Sequence, residues 1–288
     1  MTIATKEVIK RPVLRYHGGK WKLAQWIIGQ MPKHKIYVEP FGGAGSVLLQ
    51  KPRSYSEVYN DLWGVVVNVF RVLRDPDQSK HLETLLRLTP YARAEFEETG
   101  DDALALVADP VEKARRTIFR SFAGFGSAAT NATHATGFRA NSNRSGTTPA
   151  HDWMNYPDHL AQFCRRLSGV VIENRPAIEV IQAHDTPQTL HYVDPPYLHA
   201  TRNMQRGNAA YACEMTDVEH VELAQVLNSL QGMVMLSGYA SSLYDELFTG
   251  WRRVERRAHA DGARDRVEVL WLRNCAAPKS LFESLESN

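Results

Sequence analysis

The tetrapeptide Asp194-Pro195-Pro196-Tyr197 closes an apolar run, Thr189 to Val193, and its residue types specify a chemistry. Both prolines lack an N–H and fix φ, and the residue before each is kept out of the helical region, so the strand must stop and the chain beyond it is stiff. Asp194 then offers carboxylate oxygens at the strand end, the Pro195 carbonyl is a second acceptor, and Tyr197 supplies an exposed flat face. Two acceptors and a stacking plane suit the exocyclic amino group of a planar heterocycle, gripping both N–H bonds while the ring stacks. A plain turn whose acid caps a helix would not require the tyrosine.

Two further stretches could hold a ligand. Glu39-Pro40-Phe41-Gly42-Gly43-Ala44-Gly45-Ser46 places glycines between a strand and a helix start, where backbone N–H groups gather at the carboxyl edge of a sheet. A dinucleotide fingerprint would need a third glycine at 47 or 48, and Val47 and Leu48 stand there, which disfavours a nicotinamide dehydrogenase. Asp61, about 20 residues on, has the type and place to accept hydrogen bonds from ribose hydroxyls; its plain alternative is an Asx cap on the next helix. Leu14 to Lys20 (LRYHGGK) has an aromatic, a glycine pair and a lysine, but Trp21 follows Lys20, so it is no phosphate-binding P-loop.

These residues need a scaffold, and the periodicity supplies one. KIYVEPF (35–41) and SEVYNDL (56–62) read as strands, each followed by an apolar helix start, and GVVIEN, TLHYV, GMVMLSG, WRRVERR and VEVLWLRN read as later strands with helices between the first of them. Thr216 is placed to cap the helix of TDVEHVELAQVLNSL. The pattern predicts one α/β sheet built from residues 1–72 and 167–288, interrupted at 73–166 by charged, helix-prone sequence and a long polar loop, 124–146.

At 288 residues and 43% hydrophobic, the chain can bury a large core. The start, MTIATKEVIKRPV, has no apolar segment, and no stretch approaches the roughly 18 apolar residues of a membrane span, so a cytoplasmic protein without a membrane partner is expected. Cys164, Cys213 and Cys275 are far apart, odd in number and form no CxxC pair, which suggests neither a disulfide framework nor a thiolate metal site. His184, Asp185 and His191 form no convincing ligand set either, so no metal is expected. The net charge of +2 hides uneven zones: residues 1–35 carry +7, 75–110 carry −6 and 111–166 carry +5. Separate basic zones are compatible with a polyanion on one face.

Taken in order, LRYHGGK, YVEPFGGAGSV, the acid of YNDLW and YVDPPY resemble the Dam-like DNA adenine N6-methyltransferases over about two thirds of the chain. The resemblance implies a Rossmann-like class I methyltransferase sheet, mostly parallel with a late antiparallel strand, and a mainly helical target-recognition insertion at 73–166. It implies S-adenosylmethionine and double-stranded DNA as partners, and a monomer or weak dimer. Tyr16, Lys20, Glu39, Phe41, Gly42, Gly43, Gly45, Asp61 and Asp194 would shape the cofactor pocket. Asp194, Pro195, Pro196 and Tyr197 would be catalytic, and Arg115, Arg116, Arg120, Arg139 and Arg144 would hold DNA. Near Arg175-Pro176 many relatives carry an acid that this chain lacks, so the resemblance assigns that loop no cofactor role.

Direct transfer to an amine needs no covalent intermediate, which agrees with the cysteines: none follows a proline, as a cytosine C5 nucleophile usually does. The acid-Pro-Pro-aromatic signature equally suits an N4-cytosine or RNA-adenine methyltransferase, and a catalytically silent nucleic-acid-binding relative is the alternative from another class; the intact signature argues against silence.

Overall fold

The computed structural model describes residues 9–126, 136–141, 146–201, 211–259 and 265–275. A seven-stranded sheet runs through it in the order β3-β2-β1-β4-β5-β7-β6, with β1 Ile36–Glu39, β2 Ser56–Asn60, β3 Val170–Glu173, β4 Thr189–Val193, β5 Met233–Tyr239, β6 Arg252–His259 and β7 Asp265–Arg273. The first five strands are parallel, and β7 is antiparallel to both β5 and β6. Strand order reverses between β1 and β4, and the carboxyl ends of those two strands carry the glycine turn and Asp194. Open α/β sheets bind ligands in the crevice at such a reversal.

The helices are α1 Ala24–Gly29, α2 Ser46–Gln50, α3 Gly64–Arg74, α4 Pro76–Leu88, α5 Arg93–Glu97, α6 Asp101–Ala105, α7 Pro110–Ala123, α8 Pro149–Met154, α9 Leu160–Leu167, α10 Ala177–Ala183, α11 Asp217–Ser229 and α12 Ser242–Leu247. Their starts are written in the sequence. Asp75, Asp109 and Thr148 each cap a helix whose first residue is proline, a position where the missing N–H costs nothing. Thr216 makes a reciprocal capping box with Glu219 at the head of α11, as expected of it.

Parallel strands bury both faces, so β1, β2 and β4 are nearly all buried. One face packs Tyr37, Tyr59, Leu190, Tyr192, Met235 and Leu270 into a cluster with α1 to α4, α7 and α9. The other packs Val193, Val234, Leu236, Val269 and Trp271 against α11 and α12, and Val38 and Val58 against Val180 of α10. Within 73–166, α7 lies against α3 and α4, and Phe119, Trp153 and Phe163 share one apolar cluster with Tyr37 of the sheet. The helical segment is therefore continuous in packing with the sheet's first layer. No helix among the described residues is long and apolar enough to cross a membrane.

Candidate active site at the carboxyl edge of the sheet

Alternation along the strands decides which side chains meet. Glu39 on β1, Tyr192 and Asp194 at the end of β4, Ser237 and Tyr239 on β5 and Glu268 on β7 have the parity of the residues that face the first layer, and these four strands are neighbours. Register completes the alignment, because Val193 pairs with Leu236 and Tyr239 with Glu268.

The glycine turn can form only with glycines at its close approaches. A Cβ on Gly42 would stand 2.2 Å from the Tyr59 ring, and Gly43 has φ +47° with the Tyr16 ring 2.9 Å from its would-be Cβ. Asp61 is anchored to this turn: Oδ2 accepts from the Gly43 N–H at 2.8 Å and Oδ1 from the Trp63 N–H at 2.8 Å. The second bond closes an Asx turn just ahead of α3, whose N-cap Trp63 makes no side-chain cap bond, so Asp61 does not cap that helix; the residue also lines the cleft. Burial pushes the Asp61 carboxyl up, opposed by the backbone N–H groups of Trp63, Gly43 and Leu62. Glu39 accepts from the Tyr37 hydroxyl at 2.7 Å and the Leu48 N–H at 3.0 Å. Burial, reinforced by the nearby Asp194 charge, still raises its pKa to about 8.

Lys20 lies across the crevice. Its Nζ is 2.9 Å from Asp194 Oδ2 and donates to the Gly18 carbonyl at 2.8 Å, 4.7 Å from the centre of the Tyr197 ring. Burial alone would lower the Lys20 pKa, but Asp194 and then Glu268 outweigh it and hold the ammonium charged. The Asp194 carboxyl is pushed up by burial and pulled back by Lys20. Its Oδ1 is buried and has no hydrogen-bond partner among the described residues, although the Ser237 hydroxyl is near enough to act on the carboxyl. The Tyr192 hydroxyl beside it is likewise buried without a geometric partner.

The cleft brings together most of the expected ligand-binding residues: Tyr16, Lys20, Glu39, Phe41, Gly42, Gly43, Asp61, Asp194, Pro195 and Pro196 line it. Gly45 instead shapes it from behind, at φ +60° as the residue before α2. The loop after β3, to which sequence reasoning gave no cofactor role, supplies a wall through Pro176, Ala177 and Ile178. Tyr211, Cys213, Glu214 and Met215, with Glu219, Glu222 and Leu223 of α11, complete the lining and carry no motif by which the sequence could have singled them out.

Two expectations are corrected. Tyr197 is not an exposed platform: it is 5% accessible, Lys20 lies over its ring, Tyr239 meets it edge-on, and its hydroxyl donates to Glu268 Oε2 at 2.8 Å. Strand β7, distant in sequence, covers it. Of the arginines of α7, Arg115 and Arg120 are buried and Arg116 is partly exposed but ion-paired within the fold, so they do not form an open phosphate-facing stripe. Arg115 is 8% accessible and bonded to Glu112, Glu95 and Thr89; Arg120 is buried over Phe96; and Arg116 bonds Glu112 and the Glu98 carbonyl. Arg139 donates to the Phe122 carbonyl and remains half-buried, while Arg144 lies outside the described residues, as does much of the 124–146 loop. Arg93, to which the sequence reading gave no role, is exposed and stacked over Phe138 beside Arg139.

The profile of the D12 class N6 adenine-specific DNA methyltransferases matches residues 16–260. The chain belongs to that family. Its substrates are therefore DNA and S-adenosylmethionine, its product is N6-methyladenine in DNA, and the seven-stranded sheet is the methyltransferase scaffold expected of the sequence. No curated protein matches the chain. The donor set fits the family's cosubstrate: a glycine turn and two acids line a largely apolar cleft, and one buried oxygen of Asp194 has no partner in hydrogen-bond geometry among the described residues. No group of three or more His, Cys, Asp or Glu suited to a metal occurs among the described residues.

Proposed function

We propose that Asp194 and the Pro195 carbonyl take the two hydrogens of the adenine amino group, in a cleft whose glycine turn and Asp61 hold the methyl donor. Buried polar atoms are almost always satisfied, so Oδ1 of Asp194, buried with no partner in hydrogen-bond geometry among the described residues, on a residue that lines the crevice at the strand reversal, is the observation that carries this reading. S-adenosylmethionine supplies an electrophilic methyl on a sulfonium sulfur. Hydrogen bonds to both amine protons localise the aryl nitrogen's lone pair and aim it at that methyl. As the N–C bond forms, the C–S pair returns to sulfur and the amine proton becomes acidic. Asp194, with its pKa raised by burial, is placed to accept it.

A paired adenine must leave the duplex first, at a cost of a few kcal/mol, and enter where the Lys20 ammonium now rests against Asp194 and the Tyr197 ring. Arg139, Arg144 and the exposed Arg93 are the phosphate contacts of choice in 73–166, which serves as the target-recognition region of a monomer or weak dimer. Alanine at Arg139 and Arg144 should flatten the salt dependence of DNA affinity by about one unit per lost contact; an unchanged slope places the DNA elsewhere.

The deciding test is Asp194→Ala. Methyl incorporation into duplex DNA, read as N6-methyladenine by nucleoside mass spectrometry, should be abolished while calorimetric binding of the donor and of DNA persists. Near-wild-type turnover would refute the assignment.

A further inference from the structure

We propose that Glu268 is a positioning residue for methyl transfer, acting through the phenol of Tyr197. Glu268 belongs to β7, beyond the residues that match the family profile. The residues that follow it, Val269 to Leu272, are all buried and apolar, and Glu268 itself is only 7% accessible. A carboxylate in such a strand is costly unless it is paired and hydrogen-bonded. What it meets is the reaction centre. Its Oε2 receives the Tyr197 hydroxyl at 2.8 Å, Ser237 Oγ lies 3.2 Å from the same hydroxyl, and its charge helps keep Lys20 an ammonium.

The geometry explains why one anchor at the ring's far end matters. Pro195 and Pro196 fix the backbone ahead of Tyr197, and Tyr239 meets its ring edge-on at 4.6 Å. The hydrogen bonds to Glu268 and Ser237 settle the direction in which the phenol points. The ring face that meets the Lys20 ammonium, and by the reading above the acceptor base, is thereby held at a fixed angle to Asp194. Glu268 touches neither substrate. Its proposed effect is on the fraction of bound amines that are in line, and so on turnover rather than on affinity. This rests on the assignment of Asp194 and Tyr197 to the acceptor site.

The test is a double-mutant cycle on the full-length protein with Tyr197→Phe, Glu268→Ala and the pair, alongside Glu268→Gln, whose amide oxygen still accepts the phenol. Single-turnover methylation of duplex DNA should slow roughly ten- to a hundredfold in Tyr197→Phe and Glu268→Ala, the range of one lost hydrogen bond to a charged group. Donor KM should stay within about twofold, the pair should be no slower than the slower single variant, and Glu268→Gln should recover most of the rate. Additive losses, a wild-type rate in Tyr197→Phe, or a loss in donor affinity instead of turnover would overturn the proposal. If Glu268→Ala does not fold, Tyr197→Phe and Glu268→Gln decide it alone. Asp194→Asn separates the two readings: a fully active Asp194→Asn enzyme refutes the site itself, whereas an inactive one beside a fully active Tyr197→Phe refutes only the role of Glu268.

Discussion

Two buried lysine–carboxylate clusters lie on the same first-layer side of the sheet, one near each of its edges. At the amino end of β2, Glu57 accepts from Lys51, from both terminal nitrogens of Arg166 and from the Ser54 N–H, and it is 3% accessible. At the carboxyl end of β4, Asp194 accepts from Lys20 through one oxygen and leaves the other without a geometric partner among the described residues. Similar charges thus end in opposite electrostatics. Burial pushes Glu57 up, but Arg166 and Lys51 overcome it and hold the carboxyl below its usual range, whereas burial wins at Asp194 and raises it. A satisfied cluster fastens strands and helices together; a cluster with one acceptor to spare stores binding capacity. Composition cannot tell them apart, since both read as a lysine and an acid in apolar surroundings.

Removing each acid separates the two functions. Asp194→Asn should cost at least about a hundredfold in turnover, the scale of losing a preorganised polar contact to a reacting group, and should lower the thermal midpoint less than Glu57→Ala does, because one buried cation, Lys20, rather than two loses a carboxylate. A large drop in that midpoint would make Asp194 a structural acid like Glu57. Glu57→Ala should do the reverse, destabilising by about 3–5 kcal/mol because two cations are left buried and uncompensated, with turnover per folded molecule preserved. Urea titration alongside methylation assays reads both. Because the Glu57 carboxyl is depressed in the fold, its stabilisation is present above its unfolded pKa and fades as pH falls through the folded value.

His191 offers an intermediate case, on the same strand as Asp194 but facing the other layer. It is fully buried, Asp185 Oδ1 is 3.5 Å from Nε2 at the outer limit of a hydrogen bond, and burial lowers its pKa to about 4 against that carboxylate. The unfolded chain takes up a proton near pH 6.5 that the native protein refuses until about pH 4. Stability should therefore fall as pH drops through that window, by roughly 3 kcal/mol in all. His191→Leu should flatten the slope in acid-dependent denaturation; an unchanged slope would assign it to the carboxylates. The smallest effect belongs to the cleft's rim, where Thr216→Ala should cost about 1 kcal/mol by uncapping α11 and raise donor KM only a few-fold, since Glu219, Glu222 and Leu223 hang from that helix.

Local order was legible wherever one strand or helix explains itself. Thr189–Val193 is the strand its composition announced, the glycine turn and Asp61 meet because each ends a neighbouring strand, and Thr216 caps where a Thr-x-x-Glu pattern says it should. Tyr197 could not be read as buried, because what covers it arrives from β7, some 70 residues later. The burial of Arg115 went unread for a different reason. Val111, Arg115, Ile118 and Phe122 are spaced four, three and four apart, which puts Arg115 on the apolar stripe. The periodicity was present, but counting basic residues over a window erased it.

The hairpin of β6 and β7 has one more consequence. A fragment ending near residue 250 would retain all four sequence landmarks, from LRYHGGK to YVDPPY, yet β5 would become a bare sheet margin and the Tyr197 hydroxyl would lose its carboxylate acceptor. Inactivity of such a truncation would say nothing against its motifs, and a separately expressed carboxyl-terminal hairpin able to dock along β5 is the natural reagent for restoring it by complementation.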